Sequence, residues 1–305
     1  MAAEKEVNIT AVCRQLGYSK QAYYKSVHNR QLKRCYGEIV KHKVLAIRKQ
    51  MPRLGVRKLY YLLKRELNRE NIPVGRDKLF SLLRTENLLV NRKKKYTKTT
   101  DSKHWMRKYP NLVKELPLVR PEQIWVADIT YLAIEQGYCF LHLVTDAYSK
   151  KIMGYKVSND LSSSNTVRAL KDAIKQRQYN GKLIHHSDRG LQYCSSGYVQ
   201  QLQKNNIGIS MTQDGNPYDN AIAERVNGIL KDEFGLDEIF ENLKQAELQT
   251  RQAISLYNQK RPHLSCSMLT PNRMHRQKQL EVRAWHKKST RTLEGSCAFL
   301  PSLPH

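Results

Sequence analysis

No stretch of this chain approaches the roughly 20 consecutive apolar residues that a bilayer-spanning helix needs. The opening residues, Met1-Ala2-Ala3-Glu4-Lys5, carry no apolar core of a signal peptide. The chain therefore reads as cytoplasmic, with no membrane partner. Paired cysteines are missing as well. Cys13, Cys35, Cys139, Cys194, Cys266 and Cys297 form no Cys-x-x-Cys, and no two of them stand beside histidines at zinc-finger spacing. They are expected to be reduced thiols, and zinc is not expected. Acid is also scarce: 27 Asp and Glu face 53 Lys and Arg, a formal net charge of +26 over 305 residues. That excess argues against an ordinary enzyme of small molecules. It favours a polyanion, because basic side chains that neutralise phosphates release condensed counterions. With membrane set aside, nucleic acid remains.

The charge is unevenly placed. Residues 1–114 hold 29 Lys and Arg against 8 acids, residues 115–240 hold 13 against 15, and residues 241–305 hold 11 against 4. Two basic flanks enclose a near-neutral middle, which is where chemistry is to be sought. The expected organisation follows. Residues 1–50 form a helix-turn-helix-like DNA-binding segment, and 51–114 a second helical DNA-binding module with a basic linker. Residues 115–240 form the catalytic core, and 241–305 a basic helical segment with an irregular tail ending Pro301-Ser302-Leu303-Pro304-His305.

In the first segment Ile9, Val12, Cys13 and Leu16 fall at helical spacing, Gly17 suits a helix C-terminus, and Ser19 is a natural N-cap. The helix that follows offers Lys20, Gln21, Tyr24 and Lys25 to a groove or to phosphates; a plain helical hairpin is the alternative. The theme returns after Gly55 and again after Pro73. Leu79, Leu82 and Leu83 form an apolar stripe, with Arg76, Lys78 and Arg84 on the opposite face. The run Arg92-Lys93-Lys94-Lys95 has no apolar period and reads as a linker touching phosphates.

From residue 115 the pattern changes to strands and helices. Strands are expected at Ile124–Leu132, Gly137–Val144, Ile152–Val157, Leu183–His186 and Ile207–Met211. Helices are expected at Ser163–Gln178, at Ser196–Asn205, and after the loop Gln213–Asn220 as far as about Phe234. Hairpin-linked strands followed by alternating helices and strands make an α/β fold with a mixed sheet.

Three carboxylates stand out. Asp128 interrupts a hydrophobic strand, where a carboxylate is costly unless it is paired or binds a cation. Asp188 ends a strand within His186-Ser187-Asp188-Arg189-Gly190. Glu224 lies one turn into a helix, behind the candidate caps Asp219 and Asn220. Carboxylates from a central strand, a neighbouring strand end and a crossing helix can converge on one point. Their mutual repulsion then calls for cations, and oxygen-only ligands suit Mg²⁺ or Mn²⁺. Two such ions at one site run in-line displacement at phosphorus.

Between Asp188 and Glu224 lie 35 residues. The set resembles the catalytic core of the retroviral integrase superfamily, with its Asp, Asp, thirty-five residues, Glu signature. The flanking words narrow the likeness. Trp125-Val126-Ala127-Asp128-Ile129-Thr130-Tyr131, His186-Ser187-Asp188-Arg189-Gly190 with Gln192-Tyr193, and Asn216-Pro217-Tyr218-Asp219-Asn220-Ala221 with Ala223-Glu224 look like bacterial insertion-sequence transposases. The most similar group makes its catalytic protein from a second, frameshift-linked reading frame. The resemblance covers residues 1 to about 275. It implies a ribonuclease H-like core and metal-dependent DNA cleavage and strand transfer at the ends of an insertion sequence. It implies that Asp128 bridges two metal ions, with Asp188 on one and Glu224 on the other. It matches Lys231 to a lysine that contacts the DNA end, and Gly215, Pro217 and Tyr218 to a flexible active-site loop. Tyr257-Asn258, Arg261-Pro262-His263 and Thr270-Pro271 match a tail segment with no catalytic role assigned.

Departures bear on the partners. The zinc-binding His-His-Cys-Cys arm of retroviral integrases is absent, and no leucine-zipper heptad run precedes the core. The resemblance thus implies element-end and target duplex DNA, a homo-oligomer on DNA, and a place for an upstream-frame protein. It also places the chain on the nucleoid when bound to DNA. Two other readings stay open at the level of sequence. One is a DNA-binding regulator without catalysis, which leaves Asp128 unexplained. The other is a ribonuclease H-like nuclease that cuts without joining.

Overall fold

The computed structural model describes residues 8–91, 107–114, 116–213 and 220–277. Arg92, Lys93, Lys94, Lys95, the loop bearing Gly215, Pro217, Tyr218 and Asp219, Cys297 and the expected irregular tail lie outside the described residues.

The N-terminal part is helical. Helix α1 (Ile9–Gln15) is capped by Asn8, whose side chain accepts from the amides of Thr10 and Ala11. Gly17 then turns the chain at φ +71°. Ser19 caps α2 by accepting from the Ala22 amide. Helix α2 (Lys20–Arg48) runs 29 residues, far beyond the short second helix of a compact turn. Its first half is exposed, and its second half turns Val40 and Val44 into a core. That core is completed by α3 (Val56–Arg69) and α4 (Arg76–Thr85) through Leu59, Leu63, Leu67, Leu79 and Leu83. The apolar stripe expected around Leu79 and Leu83 is therefore the inward face of a small helical unit.

The second part is built on one five-stranded sheet. Strands β1 (Ile124–Ile134), β2 (Gly137–Asp146) and β3 (Ile152–Ser158) form an antiparallel meander. Strands β4 (Leu183–Ser187) and β5 (Ile207–Met211) add in parallel on the other side of β1. The order is β3-β2-β1-β4-β5, so β1 is central. This is the expected mixed sheet of a ribonuclease H-like α/β core. The expected strands are all present, with β1, β2, β3 and β4 running one or two residues further than the hydrophobic pattern indicated. The added residues Thr145, Asp146, Ser158 and Ser187 are buried but polar, and those at the end of β1 are only half-buried, so a hydrophobic pattern does not register them.

Helices cover both faces. On one face lie α5 (Ser163–Lys175), α6 (Leu191–Cys194) and α7 (Ser196–Lys204), which share a core with Trp125, Ala127, Val144, Met153 and Leu183. On the other lie α8 (Ala221–Phe234) and α9 (Leu243–Lys260), sharing a core with Leu132, Leu141, Leu143 and Val157. The apolar core thus crosses residue 240. Ala253, Ile254 and Tyr257 of α9 lie in it, and Asn258 pairs with β3, taking the Ile152 amide and donating to the Ile152 carbonyl, both at 3.0 Å. The segment that sequence set apart as a basic helical segment packs, over α9, as a layer on the sheet.

One close approach holds α5 down. A Cβ on Gly154 would stand 2.2 Å from the Ala169 carbonyl oxygen and 2.5 Å from the Ala173 amide nitrogen, both backbone atoms. Only glycine lets α5 lie this close to β3. Replacing Gly154 with alanine is expected to cost about 1–3 kcal/mol as the helix is pushed off the sheet. A lowered midpoint in urea unfolding checks this; an unchanged midpoint contradicts the packing described.

Candidate functional site

Side chains alternate along a strand. Trp125 and Ala127 face α5–α7, so Asp128 shares the opposite face with Val126, which packs on Ala223 and Ile222 of α8. The strand therefore aims Asp128 at α8. It is half-buried there. Asn227 of α8 donates from Nδ2 to Asp128 Oδ2 at 2.7 Å. Immediately before α8, Asn220 donates from Nδ2 to the Ala127 carbonyl at 3.1 Å. Asn220 stands at the expected cap position, yet its side chain caps nothing and ties the helix start to β1 instead. The Oδ1 atoms of both asparagines are buried and have no hydrogen-bond partner among the described residues.

Asp188 follows the end of β4, where β4 runs parallel beside β1. Its Oδ1 accepts from the Gly190 amide at 3.0 Å, which closes the turn into α6. Asp188 and Asp128 are close enough to repel. Burial first, then the charge of Asp188, pushes the Asp128 carboxyl up to about 7, against the Asn227 hydrogen bond that favours its ionised form. Tyr193 of α6 is buried in the core shared with Trp125 and Ala127, and its hydroxyl has no partner among the described residues. Burial and both aspartates raise the phenol well above its ordinary value, so it keeps its proton.

Glu224 is placed differently. It is exposed in the first turn of α8, and its charge is the weakest of the influences on Asp128. Among the described residues, no three His, Cys, Asp or Glu side chains stand together closely enough to hold a metal ion. The convergence of three carboxylates expected from sequence is therefore seen for two, with the third on the adjoining helix. Mutual repulsion of like charges is the physical reason for such spacing. Lys231 is half-buried further along α8; burial lowers its pKa, and Asp128 opposes that shift. Asn220, Glu224, Asn227 and Lys231 are spaced at four, three and four residues, which places them along one side of the helix.

The other sequence candidates lie on the helical unit. Lys20, Gln21 and Lys25 are exposed on α2. On α4, Arg76 is paired with Asp77 at 2.8 Å and Lys78 donates to the Pro73 carbonyl. Arg225 is exposed, whereas Asn227 is buried against Asp128. Its position three residues after Glu224 was the only available signal, and it has force only once α8 is laid across β1.

A second polar constellation lacks access. Ser149, His275 and Glu122 are linked in series, with Ser149 Oγ 2.9 Å from His275 Nδ1 and His275 Nε2 3.2 Å from Glu122 Oε1. The order is that of a nucleophile, base and acid, but all three are buried. Glu122 also accepts from the Gln178 and Tyr179 amides, so the cluster ties the start of β1 to the end of α5 and to α10 (Pro271–His275).

Residues 119–217 and 205–271 each match a family model described as an integrase core domain. The first span contains Asp128 and Asp188, and the second contains Glu224 and Lys231. The chain is 32% identical over 264 residues to the "Insertion element IS600 uncharacterized 31 kDa protein" of Shigella sonnei, covering 85% of this chain and 96% of that one. It is 32% identical over 207 residues to the "Transposase for insertion sequence element IS629" of the same organism, covering 68% of each. With the "Transposase InsF for insertion sequence IS3fB" of Escherichia coli K12 it shares 28% over 276 residues, 90% of this chain and 96% of that one.

The raised pKa of Asp128 has a sign that can be tested. The folded protein binds this proton more tightly than the unfolded chain, whose Asp sits near 3.9. Stability is therefore lost as pH rises from the unfolded value through about 7. Asp128→Asn removes that loss. Without added metal, the variant is expected to match the parent's melting temperature near pH 4 and exceed it at pH 8. Equal melting temperatures at pH 8 contradict the crowding described.

Proposed function

Because this chain belongs to the insertion-sequence transposases with an integrase core domain, we propose that Asp128, Asp188 and Glu224 are the catalytic carboxylates with which it cleaves DNA and transfers strands at the ends of its element. The observation that carries this reading is the Asp128–Asp188 pair. It is a carboxylate in the central strand, half-buried beside another carboxylate and pushed up to about 7, with a helix bearing Glu224 laid across it.

The donor set fits a divalent cation. All the side chains are hard oxygen donors, and the orphaned Oδ1 atoms of Asn220 and Asn227 add acceptors for bound water. Asp128 and Asp188 are the residues that would hold it, with Glu224 joining from α8. Two Mg²⁺ or Mn²⁺ ions per site are the proposed complement. Such ions, when bound, lower the pKa of an attacking water or hydroxyl and neutralise charge on the phosphate.

The chain's own residues do the rest. Asn227 holds Asp128 in one orientation. Tyr193, protonated and without a partner among the described residues, is a buried donor near enough to feel the charge of both aspartates. Lys231, on the same side of α8 as Glu224, meets a DNA phosphate. Cleavage by water leaves a 3′-hydroxyl, which attacks a second phosphodiester in the same site, so no covalent protein–DNA intermediate forms. Lys20, Gln21 and Lys25 on α2, Arg76 and Lys78 on α4, and the Arg92–Lys95 run grip duplex DNA, element ends and target alike. A homo-oligomer on DNA and an upstream-frame partner complete the proposed assembly.

The full-length protein should bind duplex DNA with an affinity that falls steeply as salt rises. With Mg²⁺ or Mn²⁺ it should cut and join a duplex carrying the terminal sequence of its element. Asp128→Asn and Glu224→Gln are expected to abolish both steps, by at least about a hundredfold, while DNA binding stays or tightens. Strand transfer retained in purified Asp128→Asn contradicts the proposed mechanism. Cutting that never yields joined product points to a nuclease, and indifference to both substitutions points to a regulator.

A further inference from the structure

The far end of α8 is clamped by a second carboxylate. Glu233, nine residues after Glu224, accepts from Lys58 Nζ of α3 at 2.7 Å and from Arg261 Nη2 and Nε, just beyond α9, at 2.7 and 2.8 Å. The group is largely enclosed: the Arg261 side chain is 2% exposed, Glu233 13% and Lys58 18%. The Glu233 carbonyl also accepts from the Arg53 amide at 3.3 Å. Phe234 packs against the helical unit's core as well as the sheet's. One glutamate thus joins three distant parts of the chain, and one of them is the helical unit.

Helix α8 is tied at three points: Asn220 to β1, Asn227 to Asp128, and Glu233 to Lys58 and Arg261. The middle tie, charge-assisted and at 2.7 Å the stronger of the two that flank Glu224, acts as the fulcrum, and a tilt about it is taken up by the single 3.1 Å bond of Asn220. At a rise of about 1.5 Å per residue, Glu224 lies about 4.5 Å along the axis on one side of Asn227 and Glu233 about 9 Å on the other. A shift of about 2 Å at Glu233 becomes about 1 Å at Glu224 by simple leverage, and a misplacement of about 1 Å can cost about a hundredfold in rate. Buried, multiply bonded charge is the kind of contact that resists such a shift, because breaking it strands a charge in a poorly solvated place.

The geometry points to Glu233 and Lys58 as positioning residues that couple the helical unit to the catalytic centre. With Lys58 seated on Glu233, α8 is held where Glu224 can join Asp128 and Asp188 on a divalent cation; when the helical unit lifts from this contact, Glu224 swings away. The DNA-gripping unit thereby reports to the metal site through one ion triad. This rests on the carboxylate reading given above.

Lys58→Met keeps the length and apolar stem of the side chain and leaves the Glu233–Arg261 pair intact. Gln50→Ala removes a different contact of the helical unit, the bond from Lys260 Nζ at 2.8 Å, which ends near α9 and leaves α8 untouched. The readout is Mn²⁺ alone, titrated into the full chain without DNA and followed by the electron paramagnetic resonance of free Mn²⁺. Thermal melts check folding, and Glu233→Gln is the alternative should Lys58→Met fail to fold. Lys58→Met is expected to need about tenfold more Mn²⁺ for half-saturation, Lys58→Arg to return within about twofold of the parent, and Gln50→Ala to match it. A folded Lys58→Met that titrates like the parent overturns the coupling, as does an equal weakening in Gln50→Ala. A parent protein that binds Mn²⁺ no better than Asp128→Asn brings down the carboxylate reading, and this inference with it.

Discussion

The structure turns on a carboxylate placed where a sheet would rather have a hydrocarbon. Asp128 sits in the central strand of five, on the face covered by α8, beside Asp188. Leaving it charged is costly, and the surroundings answer in two ways. Asn227 gives it one strong hydrogen bond, and Asp188 gives it a like charge that makes a cation welcome. Neither arrangement stabilises the fold by itself. Both make sense as preparation for binding, which is why the central strand can tolerate them.

Everything that places α8 then becomes part of the site. Val226, Ile229 and Leu230 bury one side of the helix against the sheet and α9. The same helix turns Asn220, Glu224, Asn227 and Lys231 along its length beside β1. Helix α9 backs it, fixed to the edge strand by the paired bonds of Asn258 with Ile152. The helical unit meets it at Glu233. The basic helical unit and the carboxylate pair are thus fastened to opposite ends of one 14-residue rod.

How much of this was legible in the sequence depends on the range of the contact concerned. The strands and helices of the core announced themselves by periodicity, and the Ser19 cap and Gly17 turn by local chemistry, because each signal lies within a few residues. The three carboxylates proposed as catalytic stand out through the spacing and flanking words of a known pattern. The length of α2 was not, since its exposed first half has no apolar period to mark it as one helix with the buried second half. Nor was the role of α9, whose inward Ala246, Ala253, Ile254 and Tyr257 are sparse among polar neighbours. The Lys58–Glu233–Arg261 triad spans 175 residues between its first two members, and charged side chains read in isolation look like solvated surface. Asn227 failed for the same reason: its partner is 99 residues away.

The central claim is that Asp128 and Asp188 form the seat of a divalent cation that Glu224 completes from α8. Crystals of the full chain grown with Mn²⁺ and measured at the manganese absorption edge test it most directly. The account predicts anomalous density between Asp128 and Asp188, with the Glu224 carboxylate drawn into the coordination sphere and Asn227 still bonded to Asp128. Manganese bound elsewhere, or density at the pair that Glu224 never approaches, would contradict it.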